Sequence, residues 1–155
     1  MAAVREVIKK GDPILREKAV AVRRFDEKLA ALLDDMALTM KEYDGVGLAA
    51  PQVAISKCIV VIKEEDGELI ELINPVIVQK AGVKSDAEGC LSVPDLRGMV
   101  PRAKYVLVEA QDRKGNAFTL EAEDLLARII QHEVDQLHGC LFTDIMTSVL
   151  DDDDE

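Results

Sequence analysis

The chain has 155 residues, 48% of them apolar but only 3% aromatic, and a formal net charge of −11. That length suits one domain with an aliphatic core of Leu, Ile, Val, Ala and Met. The acidic balance argues against a broad nucleic-acid-binding face, no apolar run reaches the length of a membrane span, and Met1 to Lys10 is too short and mixed for a signal peptide. Three cysteines are too few and too odd for a disulfide framework, which points to a reducing compartment.

Taken in chain order, Asp12-Pro13 predicts a helix start, with Asp12 as cap and Pro13 at the first helical position, and a short helix through Ala19. Asp26 can cap a second, longer helix. Its Leu29, Leu32, Leu33, Met36 and Met40 recur at three and four residues, and it ends near Tyr43-Asp44-Gly45. Cys58-Ile59-Val60-Val61-Ile62 is short and β-branched, as a buried strand is. Asp66-Gly67 turns the chain into Leu69 to Ile73, a hairpin. Further strands are expected at Val76 to Gln79, around Met99-Val100, at Tyr105 to Ala110 and at Ala117 to Glu121, with Arg113-Lys114-Gly115-Asn116 as a turn. From Ala122 to Leu137 the pattern becomes helical again. Helices at both ends with strands between suggest one α+β domain.

Three segments carry chemistry. In Gly45-Val46-Gly47-Leu48-Ala49-Ala50-Pro51-Gln52, small residues allow close backbone approach and Gln52 places an amide at the end. Alone it reads as a helix stop and tight turn, because the third glycine of a dinucleotide fingerprint is missing. In Glu88-Gly89-Cys90-Leu91-Ser92, the cysteine suits a nucleophile, a metal thiolate or a small buried residue, and alone the buried reading is favoured. Cys58 and Cys140 lack such context and are assigned to the core. The third segment, Gln131 to Gly139, nearly forms a metal-binding helix. Two histidines at i and i+4 face one ion, but here His132 is followed at i+4 by Gln136. His138 lies roughly 240° around the helix from His132, at about 100° per residue. An exposed histidine beside a helix-stopping glycine explains it.

In this order and spacing, the three segments closely resemble the peptide deformylase family. Asp12 to Arg16 (Asp-Pro-x-Leu-Arg) and Val100-Pro101-Arg102 extend the resemblance over nearly the whole chain. It implies a single compact α+β domain over 1–150, with mixed or antiparallel sheets packed around a C-terminal metal-binding helix, and a disordered acidic tail over 151–155. It implies a metal-dependent hydrolase that removes the N-formyl group from formyl-methionyl peptides of nascent proteins. The cofactor is one divalent metal ion, natively Fe(II), with zinc, nickel or cobalt as substitutes. Cys90 matches the thiolate ligand, His132 the first histidine ligand and Glu133 the general acid/base. Gln52 and the backbone N–H of Leu91 match the oxyanion donors. Val46, Gly47 and Gly89 would bind the substrate backbone in an extended pose, with Arg97 and Arg128 as further substrate contacts.

Gln136 stands in the second histidine position. Its carbonyl oxygen is a neutral, harder donor than imidazole. It either ligates weakly, or leaves a two-ligand site completed by water, or yields to His138. Reduced turnover is therefore expected, and a deformylase-like protein that only holds a peptide or partner in the same cleft remains the alternative. Arg128, one turn before His132, sits where the family pattern places an apolar methionine-pocket wall. It either adds a cation there or snorkels outward with its stem packed. Asp135 and Arg102 could pair and fix the helix against the sheet. With an acidic tail, ribosome docking through a basic C-terminal helix is not expected, and any association is expected to be transient. Neither membrane nor nucleic acid is expected as a partner. The chain reads as cytoplasmic, with an organellar origin also compatible.

Overall fold

The computed structural model describes residues 1–150; the acidic run expected to form a tail, 151–155, lies outside the described residues. The elements that position the site are helix α1 (Glu27–Glu42), strands β1 (Gly47–Ala49), β2 (Ile59–Lys63), β3 (Leu69–Ala81), β4 (Lys84–Cys90), β5 (Val93–Arg102), β6 (Tyr105–Gln111) and β7 (Ala117–Glu123), helix α2 (Asp124–Leu137) and strand β8 (Ser148–Leu150). One sheet has the order β1-β2-β3-β6-β7 and the other β4-β5-β8. All strand pairs in both sheets are antiparallel. This is the expected α+β domain, with the antiparallel alternative realised.

Strand β2 shows why the larger sheet sits where it does. Its side chains alternate between faces. Ile59 and Val61 join Leu29, Leu33, Met36 and Met40 of α1 in one core cluster. Val60 and Ile62 join Ala127, Ile130, Val134 and Leu137 of α2 in the other. Both faces are buried, so the strand reads as an unbroken apolar run. Truncating Ile62 to Ala would cost about 2–5 kcal/mol.

Helix α1 begins as the sequence predicts, with the Asp26 carboxylate accepting from the Leu29 N–H at 3.1 Å. It delivers the chain through Asp44, at φ 56°, directly into β1. Helix α2 is fastened by Gln131, whose side-chain oxygen accepts from the Ala103 N–H at 3.0 Å while its nitrogen donates to Ala103 O at 2.9 Å. Beyond α2, Gly139 adopts φ +77°, and a Cβ there would lie 2.5 Å from Arg16 O. Only glycine lets the helix end against the N-terminal segment.

Several elements differ from expectation. Gly47–Ala49, read as part of a tight turn, forms strand β1, and Ala122 and Glu123, expected to open the last helix, instead end β7. The helix expected through Ala19 is a 3₁₀ turn, Pro13–Arg16, because the chain then extends so that Ala19 N–H can donate to Leu137 O at 2.8 Å. The two strands expected at 69–73 and 76–79 are one, β3. Its register shifts between Ile73 and Val76, where Asn74 takes φ 53° and Pro75 has no N–H to give the ladder. Asn74 stabilises this bulge by accepting from Val22 N–H at 2.8 Å and donating to Val22 O at 2.9 Å. Strands β4 and β8 were not anticipated, since Lys-Ser-Asp-Ala-Glu-Gly-Cys and Ser-Val-Leu lack a period-two apolar pattern; pairing with β5 defines them.

Candidate active site

Arg128, His132 and Gln136 follow one another at four-residue steps on α2, and all three are buried. Strand β4 brings Glu88 and Cys90 to this stripe. Two residues apart, Glu88 and Cys90 face the same side of the strand, and the register with β5 shifts between them. The Cys90 sulfur accepts from Gln136 Nε2 at 3.2 Å, with Gln52 Nε2 at 3.5 Å on another side.

Glu88 is the hub behind these groups. Its Oε1 lies 2.7 Å from His132 Nδ1 and accepts from Arg102 Nη2 at 3.0 Å. Its Oε2 accepts from Arg102 Nε at 2.9 Å and from Arg128 Nη1 at 2.6 Å. Burial alone would raise its carboxyl pKa, but the hydrogen bonds from His132 and Arg102 win and bring it down to about 2. A charged Glu88 accepts a proton-bearing Nδ1, which leaves His132 Nε2 for the site. Burial opposes charge on this imidazole, yet hydrogen bonds to Cys90 and Glu88 push it up to about 10. Arg102 also pairs with Asp135, so the pair considered from the sequence exists, but within a larger network. The ring of Phe142 stacks on His132 at 5.9 Å between centroids.

Two buried oxygens contrast with this saturation. Glu133 Oε1 and Gln136 Oε1 have no hydrogen-bond partner. Such atoms are costly unless something else satisfies them. Burial, the largest cause, pushes the Glu133 carboxyl up to about 7, with Glu88 adding to the rise while His132 and Arg102 oppose it. Gly47 faces the other carboxylate oxygen: a Cβ on it would stand 2.6 Å from Glu133 Oε2. The sulfur of Cys90, the Nε2 of His132 and the Gln136 amide form a donor set of sulfur, nitrogen and oxygen. That set and the two partnerless oxygens fit a divalent cation with a water beside Glu133. Of Gln136, only its oxygen can ligate, and the amide rotates about its last bond to present it.

Gln52 is held for a donor's role. Its Oε1 accepts from Ala49 N–H at 2.9 Å, which fixes Nε2 toward Ser92 Oγ at 3.1 Å and toward Cys90. The N-terminal segment ties both loops down: Ile8 N–H donates to Gln52 O at 2.9 Å and Lys10 N–H to Ser92 O at 2.8 Å. A cavity of about 670 Å³ opens over these groups. Val46, Gly47, Gly89, Leu91, Arg97 and Arg128 all line it, with Cys90, His132, Glu133 and Gln52. Val46 and Arg97 are exposed at its rim.

Arg128 does not snorkel outward. It is buried, and besides Glu88 it donates to Val100 O at 2.8 Å and Lys84 O at 2.6 Å. The cation expected at the pocket wall is thus neutralised by Glu88. His138 is exposed at the C-cap of α2, outside the cluster. Cys58 and Cys140 are half-buried rather than fully in the core. The sequence reading missed two residues, Glu88 and Ser92. Their only signal was position inside the cysteine motif.

The chain matches the polypeptide deformylase family over residues 4–151. It is 53% identical over 142 residues to a peptide deformylase of Heliobacterium modesticaldum, covering 92% of this chain and 93% of that one. It is 52% identical over 146 residues to peptide deformylase 1 of Bacillus cereus, covering 94% of each. Among solved structures, a peptide deformylase from Legionella pneumophila superposes with a TM-score of 0.91 at 44% identity, over 94% of this chain and 87% of that one. One from Synechococcus elongatus, solved in complex with actinonin, superposes at 0.88 with 41% identity, over 92% and 80%. With its fold, motif order and converging side chains in agreement, the chain belongs to the peptide deformylase family.

Proposed function

We propose that this protein removes the N-formyl group from formyl-methionyl peptides of nascent proteins, using one divalent metal ion held by Cys90, His132 and the side-chain oxygen of Gln136. The observation that carries this reading is the pair of buried, partnerless oxygens on Glu133 and Gln136 beside the Gln136–Cys90 contact. When bound, the ion supplies a Lewis acid that lowers the pKa of water toward neutrality and polarises the formyl carbonyl. Fe(II) is the native metal in this reading, with zinc, nickel and cobalt as substitutes.

The chain's own groups then divide the work. Glu133, poised near pH 7, takes the proton from the attacking water and returns it to the leaving amine. Gln52 Nε2 and the backbone N–H of Leu91 donate to the oxyanion that develops on the formyl oxygen. Substrate lies extended along Val46–Gly47 and beside Gly89, adding a short strand at β1, with Arg97 at the rim. Leu125, Ile129 and the Arg128 stem give the methionine side chain an apolar wall. Gln136 is a weaker donor than imidazole, so metal affinity and turnover are lower than a histidine in that position would give. Cys90, Glu133 and Gln52 together with the family match favour turnover over a cleft that only binds. The same reading places the protein in the cytoplasm, meeting nascent chains through transient ribosome contact. No described helix is long and apolar enough to cross a membrane.

The test is formate release from formyl-Met-Ala-Ser, measured anaerobically with added Fe(II), Ni(II), Co(II) or Zn(II), alongside bound-metal content. Release with at least one metal, at one ion per chain, is expected. No release with any of them overturns the assignment.

A further inference from the structure

We infer that Arg128 is a positioning residue that sets the separation between Cys90 and His132. The inference rests on the metal site proposed above. Arg128 and His132 lie one turn apart on α2, and both grip the same carboxylate: Arg128 Nη1 reaches Glu88 Oε2 at 2.6 Å and His132 Nδ1 lies 2.7 Å from Glu88 Oε1. Glu88 precedes Cys90 by two residues on β4. Holding Glu88 therefore holds the strand that carries the thiolate against the helix that carries the imidazole.

Arg128 adds what Arg102 cannot. Arg102 reaches Glu88 and Asp135, both through carboxylates. Arg128 also donates to two backbone carbonyls, Lys84 O on β4 at 2.6 Å and Val100 O on β5 at 2.8 Å. One rigid guanidinium thus spans the helix and two strands of the smaller sheet. The β4–β5 register is irregular between Glu88 and Cys90, so the ladder alone does not fix where Cys90 sits.

Charge argues for the same role. Arg102 and Arg128 supply two positive charges, and Glu88 and Asp135 supply two negative ones. These four formal charges balance one another. Arg128 thus supplies a second counter-charge to the buried Glu88 carboxylate, beside the one from Arg102. Because Gln136 is a weak third donor, correct spacing of the other two matters more here than in a three-strong-ligand site.

Cobalt titration of the full, metal-depleted chain reads this directly, through the thiolate-to-cobalt absorption band and the d–d spectrum, with Cys90→Ser as the control that lacks the band. Arg128→Met keeps the apolar stem but loses every donor. It is expected to weaken Co(II) binding roughly 10- to 100-fold, as loss of an outer partner of a metal ligand typically does, and to shift the d–d bands. Arg128→Lys keeps the charge and supplies a folded comparison should Arg128→Met not fold. Its ammonium lacks the planar fork, so it restores only part of the affinity. Unchanged affinity and spectrum in Arg128→Lys, or in a folded Arg128→Met, would show that Arg128 only packs the core and would overturn the inference. If the unmutated protein shows no thiolate band, the metal site itself fails and this inference falls with it, a result distinct from a band that is present and insensitive to Arg128.

Discussion

Glu88 and Glu133 are both buried carboxylates that feel His132, and their surroundings could hardly differ more. Glu88 has every lone-pair direction taken, by two arginines and His132. Glu133 has one oxygen without a partner and the other facing Gly47. The first is held ionised, down to about 2, and the second is poised at about 7. The wall behind the ligands is saturated and rigid. The face toward the cavity is left incomplete, and that incompleteness is what a cation, a water and a substrate can fill. Buried polar groups left unsatisfied cost stability, so a site of this kind needs a saturated neighbour to hold it in place.

The sharpest way to break the contrast is Glu133→Gln. It should lower the rate of formate release by about 10²- to 10⁴-fold, the usual contribution of a general acid/base, while leaving the melting temperature unchanged or higher. A large drop in melting temperature would mean that Glu133 is structural. Glu88→Gln should do the reverse to the fold. It leaves two buried guanidiniums short of a counter-charge, and a loss of about 3–5 kcal/mol in urea unfolding is expected. A loss below about 1 kcal/mol would show the network to be dispensable. Gln136→His should raise Co(II) affinity by about tenfold or more and raise turnover with it, since imidazole suits these metals better than a carbonyl oxygen. No change in either would place Gln136 outside the metal's reach.

The smallest effect is the most diagnostic. Glu133's carboxyl is raised from 4.5 to about 7 on folding, so the folded, metal-free chain binds that proton more tightly than the unfolded chain. Its contribution to stability is present below pH 4.5 and is lost as pH rises through 7. Glu88's is lowered from 4.5 to about 2, so its contribution is present above pH 4.5 and is lost as pH falls toward 2. Thermal melts of the metal-free protein across this range should therefore flatten on the alkaline side in Glu133→Gln and on the acid side in Glu88→Gln. The opposite assignment of sides would contradict the electrostatic picture.

Much of the frame was legible in the residues alone. Asp26 and the Leu-Leu-Met-Met spacing gave α1, and the apolar periodicity of 122–137 gave α2, because a half-buried helix writes its period into the chain. The run 58–62 gave β2 because both of its faces are covered. Strand β4 was not legible. Its residues are polar or small, and its conformation comes from pairing with β5, which propensity does not encode. The site divides in the same way. Cys90, His132, Glu133 and Gln52 were named through the order of three motifs rather than through any pattern of their own. Glu88 escaped notice because a lone acid beside Gly-Cys looks like surface; its three basic partners come from β5 and α2, which only the fold unites. For Arg128 the sequence shows the place but not the role. Its spacing placed it beside His132, but nothing in the sequence showed that it would turn its charge inward to Glu88.

Strand β1 forms one edge of the five-stranded sheet and is only three residues long, Gly47–Ala49. An open edge able to take up a peptide is equally open to another sheet, which is how soluble proteins polymerise. Here the edge is about 10 Å long at the usual rise per residue, and it lies within a recess rather than on a convex rim. A slender, flexible peptide can enter, whereas the broad side of a neighbouring sheet cannot. A short, recessed edge of this kind favours a single peptide strand over sheet-to-sheet pairing.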